Sequence, residues 1–319
     1  MERVMNKYKG VVFFDYDGTT VDEVDNIATA TPKTVESLNK LKENGYLTML
    51  CSGRTHRFLE MDVDKFMGAI TCNGSHTEVE GEVIRDICIP DELLFKVVNE
   101  YFPRDTIIHF ETRDISYYLH MDEEFFKNHC KLFNLPQRWY APWKFRTKNT
   151  HISKLVMNYK DIQVKKDFEE EFKDVFTCAK HVRENFIDIT LKGVTKGDAI
   201  TELIEKLGID KKDTYAFGDA DNDVEMMQAV GTGIAMGRHS EKVGEVASMV
   251  TGILNIRPSL FLKNGEVNVS GLCRTRKKSV ANVFESCKKY FTSRNIDPNT
   301  YDISVASATT PDECDELRR

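Results

Sequence analysis

The sequence predicts an α/β protein with a doubly wound parallel-sheet core, an inserted α+β unit and a short C-terminal α/β appendage. Three short apolar runs, VVFF before Asp15, LTMLC before Ser52 and TYAF before Gly218, each end in a polar or glycine-rich turn, as strands buried on both faces of a parallel sheet do. Helical spacing precedes the second and third runs. From about Thr77 to Phe186 the pattern changes to hairpin-like pieces mixed with helical ones, the grammar of a separate α+β layer. At 319 residues the chain is about twice the size of a common single domain, so several compact units are expected.

Taken in order, VVFF is the first strand. In TPKTVESLNKLKENG, Thr31 caps, Pro32 suits the first helical position, Val35, Leu38 and Leu41 recur at helical spacing, and Gly45 ends the run. LTMLC is the second strand, completing a strand-helix-strand unit. The inserted unit contains TEVEGEVIRDICI and TIIHFETRDISYYLH as hairpins and DELLFKVVNEYF and KDFEEEFKDVF as helices. A helix over Lys196 to Leu207, stopped by Gly208, feeds the TYAF strand. These elements divide the chain into a core of residues 1–76 and 187–252, a lid-like insertion of 77–186 and an appendage of 253–319. In such sheets ligands sit at the carboxyl ends of the strands.

Composition narrows the function. A net charge of -7 argues against a dedicated nucleic-acid binder, which clusters positive charge. A small anionic substrate then needs a locally positive or metal-loaded pocket. The mean hydropathy of -0.42 excludes a membrane bundle. The eight cysteines form no C-x-x-C pair and the eight histidines no H-x-x-x-H or H-E-x-x-H spacing, so no zinc site is read and the cysteines are expected to be reduced thiols. Four consecutive apolar residues near the start are too few for a signal peptide. The expected location is cytoplasmic.

The chemistry concentrates at strand ends. Asp15 and Asp17 flank Tyr16 in DYDGTTVD; if the strand continues, both carboxylates face one pocket, and something cationic must offset their repulsion. GDADND places Asp219, Asp221, Asn222 and Asp223 after the third strand. Hard oxygen ligands converging from two strand ends suit Mg²⁺. An EF-hand loop does not fit, because counting from Asp219 puts Val224 at the required glycine and Val230 at the required glutamate, and counting from Asp15 puts Thr20 and Asn26 there. Ser52 and Gly53 offer a hydroxyl and backbone N–H groups to phosphate oxygens, and Lys196 a compact positive charge.

The ordered set DYDGT, CSGR, Lys196 and GDADND with the downstream GIAMG resembles the four motifs of the haloacid dehalogenase (HAD) superfamily of phosphatases. The place of the insertion resembles that family's C2 cap. With TCNGSH before it and KGVTKGDAI after it, the resemblance narrows to the Cof-type, subclass IIB branch, over about residues 8–252. Ala220 departs from the glycine that many relatives carry there. The resemblance implies a HAD-like Rossmannoid core and a Mg²⁺-dependent phosphatase acting on a small phosphorylated metabolite such as a sugar phosphate. It implies that Asp15 is the nucleophile that becomes an aspartyl-phosphate, and Asp17 the general acid and base. It places Mg²⁺ with Asp15, Asp17 through its backbone carbonyl, Asp219 and Asp223, and the phosphoryl oxygens with Ser52, Gly53, Lys196 and Asn222. A second reading is phosphomutase-type transfer between sugar hydroxyls.

Trp139 and Trp143, in PQRWYAPWKF beside Arg138, Lys144 and Arg146, offer stacking faces and anion-binding charges for a substrate-facing loop, but the favoured expectation is that the aromatics pack the insertion's own small core and the charges snorkel. RTRKK (274–278) reads as a solvated helix start in an acidic protein. The last 67 residues, with an N-I-R-P segment, a Lys-Asn-Gly turn and RTRKK, resemble part of the DegV family of fatty-acid-binding proteins. That family's lipid-headgroup loops do not map onto this chain, so a partial module with a structural or partner-docking role is expected, and the chain stops inside an expected helix. A protein in which that module's lipid or partner binding dominates is the non-enzymatic alternative; neither nucleic acid nor membrane is expected as a partner.

Overall fold

The computed structural model describes residues 7–22, 24–119, 136–143, 151–180 and 185–250, single helical positions at 124, 127, 130 and 131, and the backbone of 257–263 and 266–273. Two compact units divide at Thr251 and Gly252.

The first unit opens with β1 (Gly10–Asp15), α1 (Pro32–Glu43), β2 (Tyr46–Cys51), β3 (Gly68–Thr71), β4 (His76–Val79) and β5 (Glu82–Asp86). Next come α2 (Asp91–Tyr101), β6 (Ile107–Glu111), β7 (Ser116–Tyr118), β8 (Tyr140–Pro142), β9 (Lys154–Asn158), α3 (Ile162–Glu171), β10 (Phe176–Lys180) and β11 (Phe186–Leu191). It closes with α4 (Lys196–Leu207), β12 (Thr214–Gly218), α5 (Val224–Ala229), β13 (Thr232–Ala235), α6 (Glu241–Val246) and β14 (Met249–Val250).

The three apolar runs are neighbours. β1 pairs in parallel with both β2 and β12, inside an eight-stranded sheet of order β14-β13-β12-β1-β2-β3-β4-β5. Side chains alternate across it with the period of two that a strand imposes. Val11, Phe13, Leu47 and Met49 point to one face, with Ile200, Leu203 and Met226; Phe14, Leu50 and Tyr16 point to the other, with Leu38 of α1. Each fully buried aliphatic chain here contributes about 1.5–3 kcal/mol relative to exposure. The caps follow the sequence: the Thr31 side chain accepts the Thr34 N–H at the start of α1, the Thr195 side chain accepts the Asp198 N–H at the start of α4, and Gly208 ends α4 at φ 67°.

A second, six-stranded sheet runs β10-β11-β9-β6-β7-β8. Its core is aromatic: Tyr101, Phe110, Phe168, Phe172 and Phe176 are buried there, and Trp143 stacks on Phe110 with centroids 4.5 Å apart. Trp139 differs from expectation. It lies 5.0 Å from Phe58 and its indole N–H points at the Glu60 carboxylate, 3.3 Å away, so it packs against the segment that follows β2. The hairpin around Gly81 also differs: β4 pairs antiparallel with β3 and extends the large sheet. Conversely, β11, which begins at Phe186, pairs with β9 and β10 of the small sheet. Alternating apolar residues mark a hairpin but not the sheet it joins, which is set by partners far along the chain.

In the second unit β15 (Arg257–Lys263) and β16 (Glu266–Cys273) form an antiparallel pair on either side of the Lys-Asn-Gly segment. RTRKK (274–278), Lys144, Arg146 and the expected C-terminal helices lie outside the described residues. Among the described residues no helix is long and apolar enough to cross a membrane.

Candidate active site

The strand order reverses at β1, and the crevice outside the carboxyl ends of strands at such a switch is where open α/β sheets bind ligands. Asp15 ends β1, Ser52 follows β2, Asp219 follows β12 and Lys196 begins α4. Lys196 is 1% exposed, and its ammonium donates to Asp15 Oδ1 at 2.5 Å and to Asp223 Oδ1 at 2.7 Å. Burial alone lowers an ammonium's pKa, but Asp15 and then Asp223 more than offset it and hold Lys196 above its ordinary value. Burial, then Asp223, pushes the Asp15 carboxyl well up. The two shifts compete for one proton, which stays on Lys196, the group of higher intrinsic pKa.

Asp223 Oδ2 accepts the backbone N–H groups of Asp219 and Ala220, folding the GDADND loop back on itself. Asp219, raised to about 6 by burial and by Asp223, accepts the Thr19 hydroxyl at 3.0 Å. Carboxylate oxygens of Asp15, Asp219 and Asp223 lie within 4.8 Å of one another. Gly18 makes room for this: a Cβ there would stand 2.3 Å from Asp219 Oδ2, at a φ of +83°.

The Asp17 carboxylate is close enough for its charge to help raise the carboxyls of Asp15 and Asp219, but its hydrogen bonds go elsewhere. β1 stops at Asp15, and the Asp17 carboxylate, 42% exposed, takes a two-point contact from Arg54 with N···O distances of 2.9 and 2.5 Å. Tyr16 points the other way and donates to buried Asp62 at 2.8 Å. The repulsion foreseen between Asp15 and Asp17 is thus met by two cations, Lys196 for one and Arg54 for the other.

Ser52 is buried, and its hydroxyl oxygen accepts the Arg54 N–H at 3.0 Å. A Cβ on Gly53 would meet Asn73 Oδ1 at 2.8 Å, and the Asn222 amide lies 3.5 Å from that same oxygen. Asn73 holds a left-handed backbone at φ 54°, which asparagine tolerates better than most residues. So Asp15, Lys196, Asp219 and Asp223 form one cluster, while Ser52, Gly53, Asn73 and Asn222 form a second around the loop after β2.

Three contributors carried no sequence signal of their own. Thr19 and Arg54 sit inside motifs read for their neighbours. Lys154, on β9, is 5% exposed, donates to Gly53 O at 2.8 Å, and lies 2.9 Å from Glu111 and 3.0 Å from Asp188. It joins the small sheet to the loop that holds Ser52.

The sequence model of the haloacid dehalogenase-like hydrolase family matches residues 12–255, and that of DegV, a family described as uncharacterised, matches residues 192–319. YkrA of Bacillus subtilis (strain 168), named as a candidate phosphatase, is 29% identical over 250 residues, spanning 76% of this chain and 91% of its own. Pyridoxal phosphate phosphatase YbhA of Escherichia coli (strain K12) is 25% identical over 268 residues, 76% of this chain and 93% of its own. The crystal structure of a hypothetical protein from Geobacillus kaustophilus HTA426 is similar with a TM-score of 0.67 and 27% identity, covering 76% of this chain and 92% of that one.

Proposed function

We propose that this chain, which belongs to the haloacid dehalogenase-like hydrolase family, is a phosphatase that hydrolyses small phosphate monoesters, a sugar phosphate or a metabolite of similar size, through an aspartyl-phosphate on Asp15. The observation that carries this reading is the Asp15–Lys196–Asp223 arrangement. Lys196 holds the Asp15 carboxylate in one orientation and offsets its charge, leaving an anionic oxygen to meet phosphorus. Attack forms the Asp15 O–P bond and breaks the ester P–O bond, and Asp17 gives its proton to the departing alkoxide. Asp17 then takes a proton from the water that cleaves the aspartyl-phosphate, so the acid and the base are one group. Its half-exposed carboxylate is open to substrate and to water in turn.

The donor set of Asp15, Asp219 and Asp223 is all carboxylate oxygen, which fits Mg²⁺. The Asp17 backbone carbonyl would complete the protein's share of the set, and Asp223 would take a supporting role because Lys196 and two backbone N–H groups already occupy it. When bound, the ion supplies charge neutralisation for an anionic ester that approaches four carboxylates and only two fixed cations. Ser52, Gly53, Lys196 and Asn222 would receive the phosphoryl oxygens. The core then comprises the large sheet and its helices, and the small sheet is a cap whose Lys154 reaches the phosphate loop.

The test is turnover of a generic aryl phosphate. Asp15→Asn is expected to abolish it, as is chelation of divalent ions, with Mg²⁺ restoring the wild type. Retained turnover in either case removes the proposal. Release of inorganic phosphate from a sugar phosphate, rather than return of an isomeric phosphate, separates hydrolysis from mutase chemistry.

A further inference from the structure

The end of β5 and the lead-in to β9 run side by side, held by the Ile89 N–H donating to Ile152 O at 2.7 Å. That contact brings together side chains 63 residues apart in sequence. Cys88 Sγ lies 3.5 Å from His151 Nδ1, His151 Nδ1 lies 3.4 Å from Asp86 Oδ2, and Cys88 Sγ lies 3.8 Å from Asp86 Oδ1. We propose that Cys88, His151 and Asp86 form a Zn²⁺ site, separate from the carboxylate cluster around Asp15, that ties the edge strand of the large sheet to the small sheet.

The geometry is the argument. Zinc–sulfur bonds of about 2.3 Å and zinc–nitrogen or zinc–oxygen bonds of about 2.0–2.1 Å, set at tetrahedral angles, require S···N and S···O separations of about 3.5 Å and N···O separations of about 3.3 Å. The Sγ···Nδ1 and Nδ1···Oδ2 separations match these; the Sγ contact is to the other Asp86 oxygen, but one ligand atom from each of the three residues lies within 4.8 Å of the other two, so a turn of the carboxylate brings a single oxygen to both partners. The donors match too: a thiolate, an imidazole nitrogen and a carboxylate select a borderline-soft ion over Mg²⁺. Coordination forms the Zn–S bond as the Cys88 thiol proton leaves to solvent, and the charges of thiolate and carboxylate then balance the ion. One tetrahedral position stays open to water.

A second observation points to the same place. His76, opposite Asp86 across the β4–β5 pair, is 4% exposed, and neither ring nitrogen has a hydrogen-bond partner among the described residues. Buried polar groups without partners are rare. Its Nδ1 faces Asp86 Oδ1 at 3.6 Å and its Nε2 faces Glu78 Oε2 at 3.7 Å. Carboxylates that ligate a metal are themselves hydrogen-bonded from behind, and His76 is the group placed to do this for Asp86.

The test uses the full chain, stripped of metal and kept reduced with a phosphine. Titration with Co²⁺ is expected to raise a near-ultraviolet thiolate-to-cobalt charge-transfer band that saturates at one equivalent and is bleached by Zn²⁺. Cys88→Ser and His151→Ala are each expected to lose it, whereas Asp219→Asn keeps it, since carboxylates give no such band. In parallel, Zn²⁺ is expected to protect Cys88 of the wild type from iodoacetamide, read on the peptide by mass, and not to protect it in His151→Ala. A wild type without the band, a band that survives in Cys88→Ser or His151→Ala, or alkylation of Cys88 indifferent to Zn²⁺ overturns the proposal.

Discussion

Replacing Lys154 by methionine removes the ammonium while keeping most of the stem, and the consequence can be worked from three distances. Lys154 lies 2.9 Å from Glu111 and 3.0 Å from Asp188, with the three side chains only 5%, 6% and 17% exposed. Without it two carboxylates face each other out of water, and Gly53 O loses its donor. Breaking a buried ion pair by removing one partner costs about 3–5 kcal/mol. Glu111, whose carboxyl is already pushed up by burial, can limit the loss by taking a proton. A carboxyl whose folded pKa lies above its unfolded value favours the folded state at low pH and loses that advantage as pH rises through the folded pKa, so the variant's deficit should be largest near pH 7.5 and shrink toward pH 5. The assay is intrinsic fluorescence in urea, because the chain's two tryptophans, Trp139 and Trp143, pack with the small sheet or against its border. With a slope of about 2 kcal/mol per molar, the transition midpoint should fall by about 1.5–2.5 M. Adding Glu111→Gln should recover a large part. A shift below about 0.5 M, or a deficit that grows on acidification, would refute the reasoning: the midpoint reports the whole buried set, and Arg54, whose charge also acts on Glu111, is held by Asp17.

Gly18→Ala should drive a methyl into Asp219, which a Cβ there would approach to 2.3 Å, and lower kcat/KM on the order of 100-fold by displacing a carboxylate by about 1 Å; Gly81→Ala, at the same φ of +83° with nothing within 4 Å, is the control that carries the backbone strain alone and should keep full activity. For His56, burial and then Arg113, whose guanidinium is 3.4 Å from Nε2, depress the imidazole pKa below 6.5. The unfolded chain then binds the proton first, so stability should fall as pH drops below about 6.5. His56→Gln should flatten that part of the urea-midpoint profile, and an unchanged profile would count against the assignment.

Much of this architecture is local enough to be written in short stretches of chain. Thr31, Pro32 and Gly45 bound one helix and Thr195 and Gly208 another because caps and left-handed stops act within a few residues, and VVFF, LTMLC and TYAF are apolar because both their faces are covered. Asp15, Ser52, Lys196 and Asp219 were visible for a related reason: each sits at a strand end or helix start whose position the local pattern already gives.

What stayed hidden depends on partners that no spacing marks. The hairpin at Gly81 reads the same whether it pairs with β3 or with the small sheet, and Trp139 has the same neighbours in sequence whether it turns inward or toward Phe58. Asp17 sits two residues from Asp15, yet Arg54, 37 residues away, takes its carboxylate. Lys154 and the Asp86–Cys88–His151 group are the extreme case, since every member looks like an ordinary strand or loop residue until β9 is laid beside the end of β5. The chemistry announced by the sequence is therefore that of the sheet's strand ends, while the residues that fasten the two sheets together become legible only through contacts made across the chain.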